Sequence, residues 1–199
     1  TSEDRDLSWL DTTIGGQISA DGRTVVFTDQ SEAAGANYAA CLRKTDGSST
    51  VHLGEGTAGP LSPDGRFVIV MVPSKPDRLM LYPTGPGEAR RIDNGELETY
   101  SDASWIGDGK SLFVCGNEPG KASRCYVRRL EGKDLKPVSP EGAVEGIVSP
   151  DGRFAAVRRV TGEFSMCPLT GGDARAFSFL GAGDRMIRWS PDGKALWVF

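Results

Sequence analysis

Histidine occurs once, at His52. A histidine-rich metal centre is therefore excluded, and any Ser-His-Asp triad would have to be built on that single ring. No G-x-S-x-G run occurs, which removes the nucleophile elbow of an α/β-hydrolase. Cysteine is scarce as well. Cys41, Cys115, Cys125 and Cys167 form no C-x-x-C pair and no Cys/His cluster in sequence, which argues against zinc. No stretch of eighteen apolar residues is present, so no segment reads as a membrane-spanning helix. Basic charge is in deficit: 23 Lys and Arg stand against 27 Asp and Glu, a net charge of −4. A nucleic-acid surface wants a basic stripe, so neither nucleic acid nor membrane is an expected partner.

Turn residues are plentiful. The 26 glycines and 12 prolines suit many tight reversals and leave little room for long helices. They are also ordered. Leu61-Ser62-Pro63-Asp64-Gly65-Arg66 leads into the apolar run 67–72, and the phrase returns at Asp21-Gly22-Arg23, Asp108-Gly109-Lys110, Asp151-Gly152-Arg153 and Asp192-Gly193-Lys194. The turn aspartates are spaced by 43, 44, 43 and 41 residues. A period in this range is the signature of a β-propeller with one blade per repeat.

The chemistry of the phrase explains the turn. Proline pre-sets φ for the second position of a type I turn. Asp suits the third position and can accept local backbone N–H groups. Gly then takes the left-handed conformation that closes the hairpin. Ala20 and Gly107 replace proline in two copies, so Asp-Gly is the firmer element. Five aspartates at blade spacing read as turn formers, not catalytic acids.

Between turns the pattern is that of four short strands per repeat. The expected fold is all-β, a propeller of four-stranded antiparallel blades over residues 1–199. The blades fall at about 15–56, 57–99, 103–140 and 144–180, with a partial one at 185–199. The stretch Leu7-Ser8-Trp9-Leu10 reads as an outer strand that could complete the partial blade. Thr1 is not an initiator Met and Phe199 falls in mid-repeat. The expectation is a part of a larger protein, with any signal peptide or span in the remainder. Cys115 and Cys125 flank the loop 116–124. Two separate reduced thiols is the expectation there; a bridge across a hairpin is the alternative, and it would point to an oxidising compartment.

Ser-Pro-Asp-Gly-Lys/Arg before an apolar strand resembles the WD40-like repeat of TolB-type propellers, through five copies over nearly the whole chain. The resemblance implies a module that binds partner proteins in the periplasm, or a sensor or scaffold beside bacterial kinase and winged-helix domains. A periplasmic or otherwise extracytoplasmic place is implied, with the cytoplasm as the alternative. Related propellers also guard the hydrolase domain of prolyl-oligopeptidase-like enzymes. Their triads lie outside the propeller, so no catalytic residue carries over to this sequence.

The remaining motifs have ordinary readings. Gly54-Glu55-Gly56-Thr57-Ala58-Gly59 matches G-x-G-x-x-G, but it runs into Pro60-Leu61-Ser62-Pro63 and does not open a helix, so no dinucleotide cofactor is expected. His52, on an expected outer strand, reads as a solvent-facing residue. Trp105 and Trp189 hold equivalent positions before their turns and read as packing between sheets. Propeller inner strands line an axial channel, so polar residues near their starts are the candidate contacts: Gln17, Asp102, Glu145 and Arg185. Catalytic and metal residues are not expected. The functional expectation is a non-catalytic interaction or sensing module that binds a protein partner or a small ligand at the channel mouth. The alternative is the propeller of a prolyl-oligopeptidase-like serine hydrolase.

Overall fold

The structure, a computed structural model, describes residues 12–177 and 179–199. The Leu7 stretch with Trp9 lies outside these. Among the described residues helix is confined to one 3-10 turn, Glu32–Ala34, within the loop after the second strand. The chain forms two compact units. One holds the described residues up to Pro73 together with Arg78–Arg91, and the other holds Ser74–Asp77 together with the residues from Ile92 onward.

In the first unit, β1 (Thr13–Ile18), β2 (Thr24–Asp29), β3 (Ala39–Lys44) and β4 (Val51–Glu55) pair in sequence order. The next sheet follows the same order: β5 (Thr57–Leu61), β6 (Phe67–Val72), β7 (Arg78–Pro83) and β8 (Arg90–Ile92). Period-2 alternation decides which residues meet. Val26, Ala40 and Leu42 pack against Val68, Val70 and Val72. Phe27, Ala39 and Cys41 form a separate cluster on the opposite face of their sheet. Val68, Ile69 and Val70 are all fully buried, so β6 is covered on both faces, as its unbroken apolar run requires. Thr28 Oγ1 accepts the Ala58 N–H at 2.9 Å and ties the two sheets. The glycine-rich run passes from β4 directly into β5. A Cβ at Gly56 would stand 2.6 Å from Val70 Cγ1, so that glycine serves close packing.

In the second unit, β9 (Thr99–Trp105), β10 (Ser111–Asn117), β11 (Arg124–Arg129) and β12 (Lys136–Pro137) make one sheet. A second comprises β13 (Ala143–Val148), β14 (Phe154–Arg159), β15 (Phe164–Pro168) and β16 (Arg175–Ala176). A two-stranded sheet, β17 (Met186–Trp189) with β18 (Leu196–Val198), follows. Phe113, Cys115 and Cys125 pack with Ala143, Ala155, Val157 and Cys167. Trp105 is buried, and the Trp189 indole donates to the Ile147 carbonyl at 2.9 Å, consistent with a packing role. The outer strands β12 and β16 are two residues long each, and β9, at seven residues, begins at Thr99.

The repeated turn has the expected chemistry. Gly65 N–H donates to the Ser62 carbonyl at 2.8 Å, with Gly65 at φ +69°. Asp64 Oδ1 accepts the Ser62 hydroxyl at 2.5 Å and the Arg66 N–H at 3.1 Å. The Ser62 hydroxyl oxygen in turn accepts the Phe67 N–H at 2.9 Å. The copies at Asp21, Asp151 and Asp192 repeat this wiring. In the third copy Ile106 occupies the serine position, and Asp108 instead takes the Ser111 hydroxyl from the other side of the turn at 2.8 Å.

One expectation is corrected. Cys115 and Cys125 are not separate thiols; they are bridged. They lie directly opposite each other on β10 and β11, with Cα atoms 3.9 Å apart. The N–H and C=O of Cys125 point to the β12 side, toward Ser139 and Val138. The pair is therefore of the non-hydrogen-bonded kind, in which facing side chains come closest. Cys41 and Cys167 are free and buried.

Candidate interaction site

Asp102 and Glu145 each stand six residues ahead of the turn aspartate of their repeat, Asp108 and Asp151. They therefore occupy the same position on β9 and β13, the first strands of adjoining sheets in the second unit. The tie between these strands is polar. Asp102 Oδ2 accepts the Gly146 N–H at 2.9 Å, and the Ser101 hydroxyl donates to the Val144 carbonyl at 2.6 Å. Burial pushes the Asp102 carboxyl up to about 6 against the pull of the Gly146 and Ala103 N–H groups, and the nearby Glu145 charge adds to the rise.

Glu145 is half-buried and paired. Its Oε1 accepts from Arg158 Nε at 2.6 Å, across the β13–β14 register that sets the two residues opposite each other. That bond and the carboxylate charge hold the Arg158 guanidinium above its usual range, with burial opposing. Arg158 was not singled out by sequence. Its one signal is a basic pair, Arg158-Arg159, at the end of an otherwise apolar strand, and only the hairpin register reveals its partner.

Gln17 lies on β1 in the first unit, where the whole strand is exposed. Arg185 is exposed just before β17, and its backbone pairs with Phe199 in both directions, at 2.8 and 2.9 Å. The structure thus brings Asp102 and Glu145 together and adds Arg158.

A cavity of about 580 Å³ opens at the far edge of the β9–β12 sheet, lined by Asp93, Glu96, Glu118, Arg124, Tyr126 and Lys133 among others. Glu118 is held below the usual carboxylate range chiefly by its bond to Lys121, and burial raises the Tyr126 phenol. This lining uses outer strands and loops, not the first strands. Among the described residues, one mixed set of donors, Asp29, Cys41 and His52 in the first unit, lies close enough to share a metal ion.

No protein-family model and no curated protein sequence matches the chain. Solved structures do. A TolB-type structure from Agrobacterium tumefaciens superposes with a TM-score of 0.79 at 17% identity, covering 97% of this chain and 76% of that one. TolB from Acinetobacter baumannii gives 0.62 at 16%, over 80% of this chain and 44% of that one. The β-propeller domain of the Trilobed protease from Pyrococcus furiosus gives 0.61 at 14%, over 88% and 59%. The fold is a TolB-like β-propeller. The four-stranded sheets are its blades, four among the described residues with a partial fifth, and β1, β5, β9, β13 and β17 are their first strands. This TolB-like propeller spans less than half the length of the Acinetobacter protein. Among its described residues no helix is long and apolar enough to cross a membrane.

Proposed function

We propose that this chain is a non-catalytic interaction or sensing module of a larger bacterial protein. It binds a protein partner, or a small ligand, at the channel mouth; the candidate contacts are Asp102, Glu145 and Arg185 in the second unit and, taken by itself, Gln17 in the first. The observation that carries this reading is the placement of two carboxylates, Asp102 and Glu145, at one repeat position on neighbouring first strands. Propeller blades surround a central channel, so residues on first strands collect at its mouths. Glu145 is held in one orientation by Arg158, which presents a fixed polar pair and not a mobile side chain. The Cys115–Cys125 bridge supports an extracytoplasmic location, because structural disulfides persist in oxidising compartments.

The test places a photo-crosslinking side chain at Gln17, Glu145 or Arg185, with Arg90 and Arg129 on later strands as controls, in the producing cell. Discrete adducts from the first-strand positions are expected. Adducts only from the controls overturn the reading. Likeness to the protease propeller supports a second reading, the gating part of a serine hydrolase whose catalytic domain lies outside this chain. A G-x-S-x-G downstream in the full-length gene would decide for it.

A further inference from the structure

Three adjacent strands of the first sheet carry side chains that the proposed interaction site does not use. Cys41 on β3 is the direct register partner of His52 on β4. On the other side of β3, Phe27 faces Cys41 and Asp29 faces Ala39, so Asp29 lies diagonally across from Cys41. Residues two apart on a strand share a face, which puts Asp29, Cys41 and the Phe27 cluster on one side of the sheet. A register shift between Ala40 and Cys41 sets the pairing with His52. The carboxylate oxygen, the sulfur and the imidazole nitrogen all lie within 4.8 Å of one another. Asp29 and Cys41 are buried and His52 is exposed. Asp29 Oδ1 accepts the Ser31 N–H at 2.9 Å, which fixes the carboxylate.

We propose that Asp29, Cys41 and His52 form a binding site for a divalent transition-metal ion of the zinc class. The donor set selects the ion. Thiolate and imidazole suit zinc and cobalt, whereas magnesium and calcium want oxygen ligands only. Donors around a tetrahedral zinc at about 2.0–2.3 Å stand closer together than the present separation, so a contraction of about 1 Å completes the site. Three protein ligands leave a fourth position for water or an external donor on the His52 side. On binding, a sulfur–metal bond forms and the Cys41 proton leaves to solvent.

Sequence spacing gave no sign of the site: the three residues are brought together by strand register alone.

The test titrates the 199-residue chain with Co²⁺ and then Zn²⁺, without reductant so that the disulfide is kept. One cobalt per chain is expected, with a thiolate-to-cobalt charge-transfer band and the strong visible bands of a tetrahedral ion, all bleached by Zn²⁺. Cys41→Ser should remove the charge-transfer band and Cys167→Ser should leave it. His52→Ala changes an exposed residue and should weaken zinc binding by about a hundredfold, the upper end of what even outer-shell changes cost. A cobalt spectrum without the thiolate band overturns the proposal. So does zinc affinity unchanged in His52→Ala, or a band lost in Cys167→Ser and not in Cys41→Ser. If Cys41→Ser does not fold, the His52→Ala comparison decides alone.

Discussion

The Asp102 carboxylate accepts the backbone N–H of Gly146 at 2.9 Å and so fastens β9 to β13. The bond is made by a carboxyl whose folded value, about 6, lies above its ordinary 3.8. Between those two pH values the folded protein holds a proton that the unfolded chain has lost. Stability from this group is therefore full at low pH and falls as pH rises through about 6. Asp102→Asn keeps an acceptor for Gly146 and removes the charge. It should stabilise the protein at pH 8 by about 1–2 kcal/mol after allowance for solvent screening, and by much less at pH 4. Thermal melts at both pH values check this. A variant less stable at pH 8 would show that the charge strengthens the tie.

The turn aspartates act in the opposite sense. Asp21, Asp64, Asp151 and Asp192 are held below the usual carboxylate range, first by the serine hydroxyl and then by a backbone N–H. Their contribution is present above the ordinary carboxylate value and is lost as pH falls through the lowered folded values. Stability should thus rise on acidification from neutral pH and drop again below about pH 4. A steady fall from pH 8 downward would contradict the assignment of Asp102.

The disulfide closes a loop between residues ten apart in sequence. Chain-entropy arguments give such a crosslink about 2–3 kcal/mol. Cys115→Ser with Cys125→Ser should lower the urea midpoint accordingly. The same shift should appear when the native protein is reduced, because Cys41 and Cys167 are already free.

Local chemistry made the fold legible. Each turn is specified by contiguous residues, so Ser62, Asp64 and Gly65 announce their hydrogen bonds in the sequence itself. The third copy shows the limit: Ile106 displaces the serine, and Ser111 takes over from the far side of the turn. Strand centres were legible through their apolar runs. The ends of β9, β12 and β16 were not, because a strand at the edge of its sheet is set by a few pairings with one neighbour. Asp102 and Glu145 could be chosen because repeat alignment picks them out. Arg158, the Cys115–Cys125 bridge and the Cys41–His52 pairing all depend on hairpin register. One residue of slip would send each partner to the opposite face.

Two glycines should fail for different reasons. Gly65 sits at φ +69° with open space around it, so Gly65→Ala costs about 1 kcal/mol of backbone strain and Gly65→Asn costs less. A Cβ at Gly146 would stand 2.8 Å from Phe113 Cζ and 3.1 Å from the Ala156 carbonyl oxygen. Gly146→Ala should cost about 1–3 kcal/mol by overpacking. The smaller ring-free side chain of Phe113→Leu should recover part of that loss in a double-mutant cycle, and no second-site change of this kind should help Gly65→Ala. Additive losses at Gly146 and Phe113 would locate the strain elsewhere.

Arg128 is 2% exposed, yet each nitrogen of its guanidinium donates a hydrogen bond. It donates to the main-chain oxygens of Asp93 and Gly132, the latter at 2.8 Å, and to that of Arg129 at 3.3 Å. One planar fork thus gathers two loops of the second unit beside the cavity. Arg128→Met retains much of the volume and strips donors from buried carbonyls, so a loss of about 2–4 kcal/mol in urea denaturation is expected. Arg128→Lys should recover little of it, since a point-like ammonium cannot span three carbonyls as the fork does. The Asp93 carboxyl offers a second reading of the same change. It is held low first by the Gly95 N–H and then by the positive charges of Lys133 and Arg128, with partial burial opposing. Arg128→Met removes the charge and should raise the Asp93 titration slightly, whereas Arg128→Lys keeps the charge and should leave it in place. Equal rises in both variants would show that the change comes from lost packing and not from lost charge.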